Sequence, residues 1–461
     1  MPAKPPTTKP ATAKFEPLQI LEDLLKRAVS KGADAADCLI VQDTSLNVAQ
    51  RLGKREKLER SEAQDLGLRV FVGKRQAIVS TSDLMPNTLD ELADRAVAMA
   101  RAVPADEFCG LADPNLLVKL PVALDLDDKT EPSEAQLTAM IAQAEDAARS
   151  VPGVTNSEGA EAGWGRVEVA LAASNGFRGS YAVTRWGLSV SVLAGEGTGM
   201  ERDYDYASAV FGENLPSPEA LGKSAGERTV RRLNPRKAAT AKLPIVYDPR
   251  VANGLIGHFV GAINGASIAR GTSFLKDKMG AQVFAKGIRI IDDPHRPRGL
   301  RSKPFDGEGV ANKKRALIED GELTTWLLDC RSARQLGLTT TGHAARGTSS
   351  PPSPSATNLY LEPGNVTPDE LMADIRQGFY VTELIGHGVN GVTGDYSRGA
   401  AGYWIENGKL AHPVSEVTVA GNLKDMFLHL TPANDLLFRY GTDSPTVRIE
   451  GMTLAGAQAG A

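Results

Sequence analysis

One stretch limits the options for this chain more than any other, the run from Tyr247 to Gly280 that reads YDPRVANGLIGHFVGAINGASIARGTSFLKDKMG. Asp248 followed by Pro249 predicts a helix start, because the Asp oxygen can take up orphan N–H groups and Pro stands where no intrahelical donor is needed. Val251, Leu255, Phe259 and Ile263 then recur four apart, flanked by Ala252, Ile256 and Val260, which makes a wide apolar stripe of helical period. The other side carries Gly254, Gly257, Gly261 and Gly265, with His258 as the one polar ring among them. Glycine weakens a helix relative to alanine, so this face predicts something that must come close to the backbone. One side of the helix belongs in a core, and the other is built for a close neighbour.

The rest of the chain arranges itself before and around that helix. Leu18 to Lys31 reads as an amphipathic helix, followed by strands at Cys38 to Gln42, Ser45 to Arg51, Leu66 to Val72 and Gln76 to Thr81, with Gly73-Lys74 as a hairpin turn, and a helix from Leu89 to Val103. A loop with Pro104, Pro114 and Pro121 and the acids Asp125, Asp127 and Asp128 predicts a solvated boundary, since the spacing of a calcium loop is missing. Helix, strands and helix then recur over Glu134 to Val151, Val154 to Val210 and Ser217 to Leu233, with turns expected at Gly163 to Gly165, Asn175-Gly176 and Gly195 to Gly199. The echo is one of order rather than of sequence, compatible with a duplication. Beyond Pro235 come a strand over Val283 to Ile291, a hairpin turning at Asp320-Gly321, its copy at Asn407-Gly408, and a short helix from Leu423 to Leu430 capped by Asn422. Thr339 to Asn358, TTTGHAARGTSSPPSPSATN, predicts a mobile loop. The expected fold is α+β: a leader over 1–17 that is not a signal peptide, two helix-flanked antiparallel meander units over 18–120 and 121–234, and a β-rich C-terminal domain with helices over 235–461.

Bulk properties exclude several functions. With 52 Lys and Arg against 56 Asp and Glu, no charge excess points to nucleic acid or an anionic membrane. No apolar run approaches the roughly eighteen residues of a span. Cys38, Cys109 and Cys330 are too few and scattered for a disulfide framework or a cysteine zinc site, which points to a reducing, cytoplasmic setting. No two histidines stand four apart on a helix. Gly386 to Gly391 matches GxGxxG formally, but Val392 to Gly399, VTGDYSRG, cannot be the helix that would hold a pyrophosphate. Ser273-Phe274-Leu275-Lys276 fits the Ser-x-x-Lys of serine hydrolases without that class's companion motifs, and supplies the alternative of a self-sufficient hydrolase. Val381 to Phe427 is dense in glycine and sets Asp395, Tyr396, Ser397 and Arg398 side by side near Gly388. These five are the candidate residues for holding a peptide or partner, with an exposed strand edge beside them as the expected mode of recognition.

TGDYSRGAAG, the Ile-Glu-Asn-Gly turn at 405–408, AGNLKDMF and the helix after Tyr247 together resemble the TldD/PmbA family over nearly everything from Leu18 onward. The resemblance implies a two-component metalloprotease, in which a TldD-type chain carries His-Glu-x-x-x-His on this helix and a cysteine ligand near its end. Here the first His falls on Asn253, the Glu on Gly254 and the second His on His258, and Leu436 to Thr446 holds no cysteine. The chain therefore resembles the TldE/PmbA type. That implies no catalytic residue and no metal in this chain, zinc in a TldD-like partner, unfolded peptide as substrate, and antibiotic-precursor maturation or antitoxin degradation as roles. A homodimer in isolation and a gyrase-directed binding protein are the other readings the resemblance leaves open, and neither nucleic acid nor membrane is an expected direct partner.

Overall fold

The computed structural model describes residues 16–456, so residues 1–15 of the expected leader lie outside the described range. The first half runs α1 (Pro17–Ser30), β1 (Ala35–Arg51), β2 (Lys54–Val72), β3 (Arg75–Thr81) and α2 (Pro86–Ala102). It then repeats that order as α3 (Glu134–Arg149), β4 (Val154–Ala173), β5 (Arg178–Ala194), β6 (Glu201–Ala209) and α4 (Pro218–Arg231). The two meanders share one sheet. β1 lies antiparallel to β4, from Asp37 opposite Ala173 to Gln50 opposite Ala160, and the six strands take the order β3-β2-β1-β4-β5-β6. All four helices bury their apolar stripes on this sheet. Leu21, Leu24, Leu92 and Ala96 pack with Ile40, Leu68 and Val70, while Leu137, Ile141, Leu221 and Ala225 pack with Trp164, Trp186 and Val190. Each fully buried Leu or Ile contributes about 1.5–3 kcal/mol relative to exposure.

Three expectations for this half are corrected. Cys38 to Gln42 and Ser45 to Arg51 are one continuous strand, because the polar residues between them alternate with the sheet pleat rather than turning the chain. Gly163 to Gly165 is no turn but the middle of β4, paired on both sides. The acids of the 104–132 connection are not merely solvated: Asp127 pairs with Arg166, and Asp128 accepts from the Trp186 ring N–H and the Gly212 N–H, both at 3.0 Å.

In the second half β7 (Ala241–Tyr247) leads into α5 (Pro249–Ala262). β7 runs parallel to the strand Gln377–Ile385, which pairs with Asp395–Glu406, which pairs with Lys409–Asn422. Val447–Ala455 joins β7 on one side and Lys409–Asn422 on the other, so five strands close on themselves. Asp320-Gly321 and Asn407-Gly408 turn their hairpins with positive φ at both residues (49° and 81°, 50° and 77°), as a two-residue turn between right-twisted strands requires. The predicted strand over Val283 to Ile291 is shorter: only Ile290–Asp292 pairs, and Phe284 is buried from a loop.

The segment Thr339 to Asn358 overturns its expectation most clearly. It is packed between the two halves: Ala344–Ala345 pairs with Ser353–Pro354, Arg346 reaches the buried Asp37 on β1, and Thr348 bonds Asp65 on β2. A Cβ on Gly67 would lie 2.0 Å from the Thr348 carbonyl oxygen, so β2 can meet this segment only through a glycine. Composition suggested mobility, but paired polar groups bury as securely as apolar ones.

Candidate functional site

Helix α5 begins as its sequence predicts, with an Asp248 carboxylate oxygen accepting the Arg250 N–H at 3.0 Å and Pro249 in the first turn. Its inward face, Ala252, Leu255, Ile256, Phe259 and Ala262, is buried. Phe259 meets Phe284 edge-on at 5.2 Å, and Phe284 stacks on Phe427 at 4.4 Å. The helix is bolted to the first half through Arg250, whose guanidinium bonds Asp203 of β6 at 2.8 and 3.0 Å and the Thr382 carbonyl at 2.9 Å. Burial pushes the Asp203 carboxyl up, but the Arg250 hydrogen bond and charge outweigh it and leave the group below its usual value.

The outward face is open. A Cβ placed on Gly254, Gly257 or Gly261 would meet nothing within 4 Å, whereas one on Gly265 would strike Leu328 at 2.5 Å. Three of the four glycines therefore answer to no contact among the described residues. His258 stands among them with its ring edge-on to Tyr396, centroids 6.0 Å apart. Burial, and secondarily the charge of Arg398, lowers its pKa, so the imidazole is neutral at neutral pH.

Strand alternation divides the candidate residues of the glycine-rich segment. Tyr396 and Arg398 share one face of Asp395–Glu406 and join His258, while Asp395 and Ser397 are exposed on the other. Tyr396 is 2% exposed, its hydroxyl lies beside that of the fully buried Tyr247, and burial raises its pKa to about 12. Arg398 is half-buried, donates to the Ile385 carbonyl at 3.3 Å, and forms no ion pair among the described residues. Asp395 bonds Thr393 and Asn422. Gly388 lets its own hairpin close: its carbonyl accepts the Ser397 N–H at 2.6 Å, and a Cβ there would sit 1.9 Å from the Ser397 oxygen. The free edge expected beside these residues is not found among the described residues, because Asp395–Glu406 is paired along both flanks.

The residues at the motif positions do not fit a zinc ion. Asn253 and Gly254 offer neither imidazole nor carboxylate, His258 is a single donor, and among the described residues no three His, Cys, Asp or Glu side chains converge. His343 is occupied elsewhere, buried between Asp292 at 3.1 Å and Thr341 at 2.8 Å. The Ser-x-x-Lys alternative does not assemble. The Ser273 hydroxyl is buried, donates to the Ala262 carbonyl at 2.5 Å and accepts the Leu275 N–H, while Lys276 lies exposed. Residues 386–391 form a tight loop running toward a strand, with no helix after the glycines.

Sequence reasoning missed the uncovered face of the large sheet. Across β1, β4, β5 and β6 the residues Asn47, Gly163, Gly187 and Ser208 stand opposite one another in a row, flanked by the row Ala49, Glu161, Ser189 and Tyr206. Together with Lys57 they line a shallow trough, in which Gly163 and Gly187 contribute backbone alone and the Asn47 side chain leans over Gly163. Its signal was the alternation of these small residues with Trp164 and Trp186, which point to the helices. Tyr204 and Tyr206 stack at 6.1 Å, and Tyr204 lies under Arg250, so α5 is anchored at the rim of the trough.

Comparison with known proteins assigns this arrangement. The chain matches the models of the PmbA/TldA metallopeptidase domain 1 over residues 36–100, the central domain over 124–233 and the C-terminal domain over 240–456. It is 38% identical to the metalloprotease PmbA of Escherichia coli O157:H7, over 95% of this chain and 96% of that protein. It is 34% identical to the PmbA homolog of Haemophilus influenzae, over 97% and 100%. A Bacteroides thetaiotaomicron protein crystallised as a candidate modulator of DNA gyrase superposes with a TM-score of 0.88 at 28% identity, covering 95% of this chain and 98% of that one. TldE of Thermococcus kodakarensis has the same fold, with a TM-score of 0.85 at 19% identity over 95% and 100%. The class is that of a mixed α+β metallopeptidase scaffold. This chain belongs to the TldD/PmbA family.

Proposed function

We propose that this chain is the TldE/PmbA-type subunit of a heterodimeric peptidase, carrying no metal of its own, whose TldD-like partner holds zinc and cleaves unstructured peptides. The observation behind this reading is the contrast on α5. The helix is capped, packed and anchored in full, yet at the motif positions it presents Asn253, Gly254 and one imidazole, where zinc hydrolysis needs several ligands and a base. The open glycine ridge supports it further, since helix glycines that meet no described residue cost stability unless an outside surface uses the room. Peptide-antibiotic precursors and antitoxins are the substrate classes the family resemblance brings, in the cytoplasm, where free buried cysteines are at home. A formal charge of −4 gives no support to direct contact with DNA.

The test is elemental analysis after metal-free purification, on this chain alone and on the complex co-purified with a TldD-type chain. The expected result is no stoichiometric zinc alone and about one ion per heterodimer. About one tightly held zinc per copy of the isolated chain overturns the reading.

A further inference from the structure

Strand β2 outruns its outer neighbour. β3 pairs with it only from Leu66 to Val72, so along Lys54 to Gln64 the strand is held by β1 on one side and, among the described residues, by nothing on the other. Every residue from Lys54 to Ala63 is exposed, although the facing part of β1 is buried at Leu46, Val48 and Ala49. An edge of this kind presents a row of unpaired N–H and C=O groups, a template for another strand. Charged side chains normally block such a template, because an incoming strand meets like charge. Here the run KREKLERSEAQ blocks every symmetric register against its own copy except one.

Two copies joined edge to edge about a two-fold axis run antiparallel, and residues opposite one another share a face of the joined sheet, so the axis passes where one residue faces itself. With the axis at Lys54, Arg55, Glu56, Lys57, Glu59 or Arg60, that residue meets its own charge. An axis at Ser61 or beyond drives the Leu52-Gly53 turn of each copy into the β3 of the other, which lies along β2 from Leu66. With the axis at Leu58, Leu58 faces Leu58, Lys57 faces Glu59 and Arg60 faces Glu56, each charged pair occurring twice, and the turn of one copy stops beside Ala63 and Gln64. Glu56 is the extra residue of a bulge, because Arg55 lies opposite Gln50 and Lys57 opposite Ala49, so the bulge closes each end of the regular ladder. Lys57 and Glu59 already pair within the chain at 2.7 Å, and a second copy completes a square of alternating charge. We propose that Lys54 to Gln64 is the seam of a homodimer, in which the arms of two copies pair antiparallel about Leu58 and two six-stranded sheets become one. The inference concerns the isolated chain and does not rest on the peptidase-subunit reading.

The experiment is sedimentation velocity on the full chain between about 1 and 100 μM, in about 50 mM salt so that exposed charges are not fully screened. Wild type is expected to pass from monomer to dimer across this range. Lys57→Glu and Glu59→Lys each set two like-charge pairs across the seam and weaken association about tenfold. An equal mixture of the two variants returns to the wild-type value, because between unlike variants every like pair becomes an opposite one. Thermal unfolding checks that each variant folds. Leu58→Cys supplies an independent readout: the three native cysteines are buried, and oxidation is expected to link two chains through residue 58, whose copies face each other within disulfide reach. Wild type that stays monomeric at every concentration, single variants that associate as tightly as wild type, a mixture that does not recover, or Leu58→Cys that does not cross-link overturns the inference.

Discussion

At the scale of single residues, the glycines of α5 matter most. Their position on one helix face was legible from spacing alone, and so was the expectation of a close neighbour; that no described residue fills that room was not, because spacing does not say which face meets solvent. Gly257 makes this testable. Its Cβ would touch nothing and its backbone is helical, so Gly257→Ala is expected to stabilise the isolated chain by about 0.5–1 kcal/mol, read by thermal or urea unfolding. Destabilisation would mean that the ridge is packed after all. Tyr396 and Arg398 teach the opposite lesson. Four consecutive polar residues looked like one cluster, but in a strand neighbours face opposite ways, and only alternate members reached His258.

Elements whose apolar pattern repeats were the ones the sequence made readable: α1 to α5, both Gly-containing hairpin turns and most of the first sheet. What it hid were contacts distant in the chain. The segment Thr339 to Asn358 has the composition of a loose loop, yet Arg346 enters a buried cluster in which Asp37 also binds Arg69 and Arg69 lies 3.8 Å from Glu308. Burial pushes the Asp37 carboxyl up, but the charges of Arg346 and Arg69 outweigh it and hold the group below its usual range. Arg346→Ala is therefore expected to cost about 3 kcal/mol in urea unfolding, because it leaves a buried carboxylate short of a partner. It should also open Thr339 to Asn358 to limited proteolysis. A variant as stable and as protease-resistant as wild type would return this segment to the status of a surface loop. The bare row of Asn47, Gly163, Gly187 and Ser208 was hidden for a related reason: glycines in a strand read as turns until the register shows them side by side.

The whole molecule joins two meanders of like order into one sheet and hangs α5 at its rim through Arg250. That layout leaves two surfaces uncovered among the described residues, the trough of the sheet and the ridge of the helix, on a scaffold whose motif helix holds a single imidazole. On the proposed reading, such a chain completes a peptidase without performing the cleavage. Cleavage of an unstructured peptide by this chain, by a TldD-type chain and by the two mixed tests it most directly, each with and without a chelator. The chain alone is expected to be inert, with full activity only in the mixture and loss of that activity on chelation. Cleavage by this chain alone that survives the chelator would contradict it.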